Sequence, residues 1–524
     1  MRPSRRKVVF NRTSWRYETK PHAPGSTNHP TNCISRSAAK DMEGIPTFDI
    51  SAEFTQPPEP QDDLITETSK LQAETVAKCL PFLLGPEDPT RNPFDFNEFG
   101  VPRLEKIDHV EYLRENLSDF PAPFVVADAS RPWMVYWAIN GLSLLGQDVS
   151  RYRKDVIKTF SPAQSPRGGF GGGHGQLPHL AGSYAALLTI ALVGGTEAYD
   201  MVDRHAMWQW LGRLKRPDGG FQICEGGEVD TRGAYSAMVL ITLLNLPLDL
   251  PPDSEARTIG GLQTLTDGLP EWISRCQTYE GGIGGSPGNE AHGAYTFLGI
   301  ACLCLLGSPE IMLRKHLDLD NLISWLVMQQ YAPEGGLAGR KNKLVDGCYS
   351  HWLGGCFPLV QAALQGPMTE EQAKSTGPMD IYNREGLVRY TLSCCQQKHG
   401  GLRDKPGTRA DAYHTNYILS ALSQTQHFIY HTPSPTPPSP ETSSHRTAAT
   451  AFQYKALPLR PLLASQSQHP HNNNNNNNNK KDTHLPRIVY DEDDEIQALH
   501  PLFVISDAAV KGIREWSLGK EGKW

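Results

Sequence analysis

The chain has 524 residues, of which 39% are hydrophobic, and this length allows two to four average domains or one large solenoid or barrel with tails. Fifty Lys and Arg against 57 Asp and Glu give a net charge of −7, so no bulk positive field exists to hold nucleic acid. Its ten cysteines form no C-x-x-C pair, which is typical of a reduced, cytoplasmic chain. We expect no membrane span and no secretory signal, because the apolar runs are short and none lies near the N-terminus.

Composition divides the chain into four segments. Residues 1–65 are rich in Pro, Ser, Thr and Asn and are expected to form a disordered arm, whereas residues 66–430 are dense in Leu, Tyr, Trp and Gly and form the globular body. Residues 431–486 contain a proline-rich run and eight consecutive asparagines, so we interpret them as a low-complexity insertion. Apolar residues return in residues 487–524, which we expect to dock back on the body.

The body contains an internal repeat that is marked by glycine pairs. Each pair is followed, 12 to 15 residues after its second glycine, by a tyrosine that opens an apolar run of helical period. The pairs begin at Gly168, Gly219, Gly281, Gly335 and Gly400, and the tyrosines are Tyr184, Tyr235, Tyr295, Tyr349 and Tyr413. Such units cannot bury their apolar faces alone, so they have to stack on one another in an open solenoid or close into a ring. The repeat predicts an all-α fold, an α-α barrel (toroid) of about six helical hairpins.

The residues just before the repeated tyrosines differ from unit to unit, and four polar side chains among them suit an anion. His292, Arg340, Lys343 and Tyr349 are donors that a closed ring brings to the starts of neighbouring inner helices. Cationic donors and helix N-termini together match the charge of a diphosphate. The alternative is that the two cations are solvated loop charges and His292 is only a helix cap.

A second group combines one oxygen, one sulfur and one nitrogen ligand. Asp346 and Cys348 enter the helix of the fourth unit, and His414 comes from the fifth unit. Three protein ligands and one open position are typical of a catalytic zinc site. Asp411 lies one turn before His414 and can orient its ring. The alternative for Cys348 taken alone is a buried core thiol.

With these motifs in order, the body resembles the β subunits of protein prenyltransferases, and among them those of protein farnesyltransferase. The match runs from about Asp128 to Tyr417 and includes several motifs in sequence order. These are D-A-S-R-P-W at 128–133, Q-L-P-H-L-A at 176–181, E-V-D-T-R-G-A-Y at 228–235, G-N-E-A-H-G at 288–293 and K-L-V-D-G-C-Y-S at 343–350. The resemblance implies an α-α barrel that works only together with a separate α subunit, as an obligate heterodimer.

The resemblance also implies an enzyme. It is expected to transfer a farnesyl group from farnesyl diphosphate to the cysteine thiol of a C-terminal CaaX motif on proteins such as small GTPases. One Zn²⁺ per β subunit is expected on Asp346, Cys348 and His414, with Lys343 and Tyr349 as further catalytic residues. Mg²⁺ is expected to accompany the diphosphate, with Asp404 as its candidate ligand.

The family's substrate contacts carry over to two sets of positions. Those expected to bind farnesyl diphosphate are His292, Arg340, Lys343, Tyr349, Arg232, Tyr235, Tyr295 and Trp352. Those expected to bind the peptide and limit the chain length are Trp133, Trp137, His179, Ala181, Tyr413 and Tyr417. Three positions favour farnesyl diphosphate over geranylgeranyl diphosphate as the substrate. Positions 133 and 417 carry large side chains, and position 404 carries aspartate where the type I geranylgeranyl enzyme carries lysine.

Two alternatives and three departures stay open at this stage. The alternatives are the β subunit of type I geranylgeranyltransferase and a terpene cyclase-like α-α barrel enzyme. The tail contains D-x-D-D at 491–494, a motif that such cyclases use, but it lies in an acidic run and we interpret it as a solvated charge cluster. Leu298 replaces a smaller residue of the family, Gly182 replaces a proline, and His351 stands where an aromatic residue is usual.

Overall fold

The computed structural model describes residues 50–56, 64–85, 94–118, 120, 122–379, 381–433, 449–468 and 486–520. Most of the predicted N-terminal arm and the asparagine run therefore lie outside the described residues. No prediction about them is tested by the structure.

The described chain is mostly helical, with one small sheet. The helices are α1 Glu67–Leu83, α2 Lys106–Glu115, α3 Arg131–Leu144, α4 Arg153–Phe160, α5 Leu180–Val193, α6 Thr196–Tyr199, α7 Arg204–Leu214, α8 Thr231–Leu243, α9 Glu255–Thr258, α10 Leu269–Cys276, α11 Gly293–Leu306, α12 Pro309–His316, α13 Leu319–Val327, α14 Tyr349–Trp352, α15 Cys356–Gln365, α16 Glu370–Thr376, α17 Arg384–Arg389, α18 Ala412–Gln426, α19 Leu459–Gln468 and α20 Asp507–Leu518. A π-helical turn, Tyr390–Cys394, extends α17.

The inner helices form a closed ring. Helix α3 packs on α5, α5 on α8, α8 on α11, α11 on α14 and α15, α14 on α18, and α18 returns to α3. Each inner helix follows an outer one in the chain, so that the pairs α2–α3, α4–α5, α7–α8, α10–α11, α13–α14 and α17–α18 are the six hairpins that the repeat predicted. The predicted all-α toroid is therefore confirmed.

The glycine pairs explain how neighbouring hairpins approach each other. Gly168 has φ +97°, and a Cβ at this position would collide with the carbonyl oxygen of Ala206 on the next outer helix. Gly400 has φ +82° and lies in the same way against the carbonyl oxygen of Asp108 on α2. The second glycine of each pair lies against an aromatic ring of the next outer helix. These rings belong to Trp210, Trp272, Trp325, Tyr390 and Tyr112.

The segment predicted as an insertion is in part regular structure. Strand β1, His427–His431, pairs antiparallel with β2, Tyr454–Pro458, with Ile429 opposite Ala456. The described residues 449–468 thus form a strand and a helix, which differs from the predicted low-complexity segment 431–486. The reason is local: Leu459 and Leu462 bury apolar surface that the average composition of the segment does not show.

The structure describes residues 50–56 near the end of the predicted arm, and they pack on the body. Phe54 is only 2% exposed and lies beneath the guanidinium of Arg389, whose Cζ is 5.6 Å from the ring centroid. Helix α1 begins at Glu67, two residues after the predicted limit of the arm, and is preceded by a capping box in which Thr66 and Ser69 exchange hydrogen bonds.

The C-terminal segment lies against the barrel. The hydroxyl of Tyr235 on α8 donates to the carbonyl of Leu502 at 2.7 Å, and that of Tyr136 on α3 donates to Val504 at 3.0 Å. Asp494 is 2% exposed, and its Oδ1 accepts the backbone N–H of Leu104 at 2.8 Å. The acidic run is therefore not solvated throughout, as we expected, because its last aspartate satisfies a buried amide of the body.

Among the described residues, no helix combines the length and the apolar character that a membrane span requires.

The Asp494 contact predicts a measurable loss of stability. Asp494→Ala leaves the buried Leu104 amide without its acceptor, so we expect the free energy of unfolding to fall by about 1–3 kcal/mol. Urea unfolding measures the change, and Asp493→Ala, at an exposed neighbouring carboxylate, is the control. Equal stability of the two variants would contradict the role of Asp494 in docking the tail.

Candidate metal centre and substrate cavity

The loops that precede the inner helices are joined around one end of the barrel. Backbone N–H groups at the starts of successive inner helices donate to carbonyls of the next loop. The pairs are Leu180 to Ile223 at 2.8 Å, Thr231 to Gly285 at 2.9 Å, Gly293 to Gly339 at 2.8 Å and Gly347 to Asp404 at 2.8 Å. The residues that the sequence placed just before the repeated tyrosines therefore share one mouth.

Asp346, Cys348 and His414 meet at this mouth. One ligand atom from each of the three lies within 4.8 Å of the others, and His414 Nε2 is 3.2 Å from Asp346 Oδ1. Cys348 is 5% exposed, and its backbone N–H donates to Asp346 Oδ1 at 2.9 Å. No second cluster of three such side chains is found in the part of the chain that the structure describes. The spacing and the donor set fit zinc with one open position.

Burial and hydrogen bonds together determine the protonation states of Asp346, Cys348 and His414. Burial favours a neutral His414 ring, but hydrogen bonds to Asp346 and Asp411 raise its pKa to about 12. Burial raises the pKa of the Cys348 thiol to about 12, and the Asp346 charge adds to this effect. Burial alone would raise the pKa of Asp346, but the His414 contact lowers it. To hold a metal ion, His414 and Cys348 would each have to give up a proton.

Asp411 orients the histidine, as the sequence suggested. It is the N-cap of α18, and its Oδ2 lies 2.7 Å from His414 Nδ1. The ring is thereby held with Nε2 toward Asp346 and Cys348, an arrangement typical of metal-binding histidines.

The four predicted anion donors are brought together in part. His292 Nε2 is 3.0 Å from the Tyr349 hydroxyl, while its Nδ1 accepts the backbone N–H of Ala294 at 3.1 Å. His292 is thus a helix cap and also presents its second nitrogen at the mouth, so the two interpretations are compatible. Burial and then the charge of Arg340 lower the pKa of His292 to about 4.

The two cations of this group differ from each other. Arg340 donates to Glu290 at 2.8 Å, and its side chain is 38% exposed. Lys343 is exposed and makes no ion pair with any described residue. Both side chains can therefore turn toward an anion above His292, although Arg340 has to leave Glu290 to do so.

An apolar cavity of about 220 Å³ lies inside the ring below this mouth. Its walls are mostly aromatic, and nine of the predicted substrate residues contribute to them. Those nine are Trp133, Trp137, Ala181, Arg232, Tyr235, Tyr295, Trp352, Tyr413 and Tyr417, and the other lining residues are Tyr184, Ser236, Ala294 and Leu298.

Sequence reasoning missed three of these lining residues, and one residue predicted to bind the peptide, His179, does not line the cavity. Tyr184, Ser236 and Ala294 were not predicted. Tyr184 is three residues from Ala181 and Ser236 is four residues from Arg232 on the same helix face, which is the signal that would have found them, whereas Ala294 directly precedes the predicted Tyr295. His179 is not a lining residue; its Nδ1 accepts the backbone N–H of Ala181 at 3.2 Å as the cap of α5.

Asp404 is not free at the mouth. Both of its carboxylate oxygens accept from Lys405 Nζ, at 2.5 and 2.6 Å, and burial raises the pKa of its carboxyl. A single ion-paired carboxylate does not form a magnesium site by itself. It fits a Mg²⁺ ion whose other ligands are substrate phosphates and water.

Comparison with known proteins agrees with this geometry. Residues 104–505 match the prenyltransferase alpha-alpha toroid domain. The protein farnesyltransferase subunit beta of Pyricularia oryzae is 52% identical over 376 residues, which cover 71% of this chain and 73% of that protein. This chain belongs to the protein farnesyltransferase β-subunit family.

Further relatives support the family. The protein farnesyltransferase subunit beta of Schizosaccharomyces pombe is 40% identical over 371 residues, covering 71% of this chain and 87% of that protein. The structure of Candida albicans protein geranylgeranyltransferase-I complexed with GGPP has a TM-score of 0.53 and 18% identity, and covers 79% of this chain and 99% of that chain. At this identity the likeness shows the fold alone. The predicted farnesyltransferase family is confirmed, and the type I geranylgeranyl alternative has less support.

The protons of the cluster predict how metal affinity depends on pH. His414 and Cys348 carry protons at neutral pH because both pKa values are raised, and a metal binds their deprotonated forms. We therefore expect zinc affinity to increase with pH, by about 100-fold per unit between roughly pH 6 and 8 if two protons are released. Titration calorimetry in buffers of different ionisation enthalpy counts the protons.

A matched variant tests the origin of one of these protons. Asp411→Asn removes one of the two carboxylates that raise the pKa of His414, so the pH above which His414 no longer releases a proton on metal binding should fall. An affinity that does not change with pH in the unmodified protein would contradict the proposed proton exchange.

Proposed function

We propose that this chain is the catalytic β subunit of a heterodimeric protein farnesyltransferase. It transfers the farnesyl group of farnesyl diphosphate to the cysteine thiol of a C-terminal CaaX motif. The observation that carries the proposal is one barrel mouth with the Asp346–Cys348–His414 cluster at its rim and a cavity of about 220 Å³ below. A terpene cyclase would leave this cluster without a use.

The metal cluster prepares the nucleophile. Zinc held by Asp346, Cys348 and His414 would supply an open coordination position that stabilises the substrate cysteine as a thiolate at neutral pH. Asp411 keeps the His414 ring in the orientation that this coordination needs, through the 2.7 Å contact with Nδ1. The buried position of Cys348 limits the access of water to the same place.

The polar group at the mouth receives the leaving diphosphate. Negative charge grows on the diphosphate oxygens as the bond to the prenyl carbon breaks, and fixed donors stabilise it. His292 Nε2 and the Tyr349 hydroxyl already lie within hydrogen-bonding distance of each other at this mouth, 3.0 Å apart. Arg340 and Lys343 add positive charge from a flexible loop, once Arg340 exchanges Glu290 for the phosphate.

The cavity binds the prenyl chain and limits its length. Aromatic walls offer large apolar area with few polar groups, which suits an isoprenoid. Trp133 stacks on Trp137 with centroids 5.8 Å apart, and Tyr417 lies 4.4 Å from Trp352, so bulky rings fill part of the interior. These rings are the proposed reason why a 20-carbon chain is excluded. Trp133, Trp137, Ala181, Tyr413 and, at the rim, His179 are proposed to face the CaaX peptide.

The proposal includes cofactors and partners of defined chemistry. Asp404 would help to hold the Mg²⁺ that accompanies the diphosphate, which requires Lys405 to give up its contacts with both carboxylate oxygens. An α subunit would complete the heterodimer. A cytoplasmic location fits the nine free cysteines among the described residues, because thiols persist in a reducing compartment.

Removing one zinc ligand tests the chemistry. Cys348→Ala takes away the only sulfur of the cluster, so zinc content and prenyl transfer should both fall to background. Binding of farnesyl diphosphate should be largely unchanged, because its donors are other residues. Metal analysis, a transfer assay with a CaaX peptide and titration with a fluorescent diphosphate analogue measure the three effects in the α–β complex. Full activity without bound zinc would contradict the mechanism.

Enlarging the cavity tests the chain-length assignment. Trp133→Thr removes an indole from the wall, so the kcat/KM for geranylgeranyl diphosphate relative to farnesyl diphosphate should rise by at least about tenfold, ~1.4 kcal/mol. Trp208→Thr, on an outer helix away from the cavity, is the control. An unchanged ratio would contradict the role of Trp133.

A further inference from the structure

His351 lies directly behind the cavity wall without lining the cavity. Its side chain is fully buried, and its ring stacks on Tyr417 with centroids 5.2 Å apart and an interplanar angle of 25°. The same ring lies 5.1 Å from Trp352 and 5.0 Å from Phe297. Tyr417 and Trp352 line the cavity, and Phe297 precedes the lining residue Leu298. The imidazole, which belongs to α14, therefore packs against the two neighbouring inner helices α11 and α18 at the back of the wall.

A hydrogen bond fixes the orientation of this ring. His351 Nδ1 is 3.3 Å from Gln424 Oε1, and Gln424 lies two turns after Tyr417 on α18. Burial lowers the pKa of His351 to about 3, so the ring is neutral at neutral pH and Nδ1 carries the hydrogen that the amide oxygen accepts. The plane of the imidazole is thereby tied to the helix that carries Tyr417.

The contact leaves buried polar atoms unsatisfied. Neither His351 Nε2 nor Gln424 Nε2 has a hydrogen-bond partner among the residues that the structure describes. A phenylalanine at 351 would place a planar ring in the same space but would leave the amide oxygen of Gln424 without its donor. The property that the two residues share is a planar ring behind Tyr417.

We propose that His351 is a positioning residue that sets the depth of the cavity, and hence the length of the prenyl chain, by holding Tyr417 and Trp352 in place. Close packing explains the effect, because a side chain keeps its rotamer when the space behind it is filled. Removing the imidazole opens a void behind Tyr417, into which that ring can turn. The cavity then becomes longer without any change in a lining residue. This inference rests on the proposed function, which places the prenyl chain in the cavity.

The test uses the α–β holoenzyme with one CaaX peptide and compares kcat/KM for the 20-carbon and 15-carbon diphosphates. We expect His351→Ala to raise this ratio by at least about tenfold, whereas His351→Phe, which keeps a ring behind Tyr417, stays near the unmodified protein. A general loss of stability would lower both rates together and leave the ratio unchanged. If His351→Ala does not assemble, His351→Leu fills the space only in part and should shift the ratio in the same direction.

His431→Ala is the matched control. His431 is also a buried histidine, 2% exposed and packed on an aromatic ring, Tyr454, but it lies on β1 and not behind the cavity. Its removal should lower the melting temperature without changing the ratio. An unchanged ratio in folded His351→Ala and His351→Leu, or an equal shift in His431→Ala, would overturn the role of His351. An unmodified holoenzyme that transfers neither prenyl group would instead overturn the proposed function.

Discussion

The close contact between each glycine pair and the next outer helix is the constraint on which the rest of the structure depends. Gly168 and Gly400 both need a positive φ, and both lie where any side chain would collide with a carbonyl of the neighbouring helix. Because the fifth pair contacts α2 of the first hairpin, the same contact closes a ring instead of extending a solenoid. Closure places the inner-helix N-termini around one mouth, so residues 68 positions apart, such as Asp346 and His414, face each other.

At this mouth, ligand binding is an exchange of partners. His414 lies between two carboxylates, Arg340 is paired with Glu290, and Asp404 is paired with Lys405. Each of these three groups thus has an internal counter-charge that competes with a metal ion or a phosphate. Such pairs lower the energy of charges taken out of water, but they also reduce the net gain on binding. The side chains at the mouth therefore already lie where a ligand would need them, but they have to change their hydrogen-bond and ion-pair partners to bind it.

Sequence reasoning predicted the ring and the metal cluster for one physical reason, the fixed spacing of glycines and tyrosines. The spacing of glycines and tyrosines predicts helical hairpins, and hairpins that pack side by side close into a ring. Ring closure in turn brings His414 next to Cys348. It did not predict the Arg340–Glu290 or Asp404–Lys405 pairs, because such pairs depend on loop conformation and not on the repeat. It also missed β2, since average composition hides a short apolar pattern inside a polar segment.

The cavity wall has two layers of side chains, and the outer layer restricts the rotation of the rings in the inner layer. Trp352 and Tyr417 form the inner layer, but a ring at the edge of a void can rotate, so its size alone does not define the depth of the cavity. His351 fills the space behind them with a planar group held by Gln424, and a planar group with one fixed hydrogen bond has fewer rotamers than an aliphatic chain of similar volume. Under the proposed function, chain-length selection then depends on the stiffness of the wall as well as on the bulk of its residues. A substitution behind the wall therefore changes the depth of the cavity, as a substitution of a lining residue does.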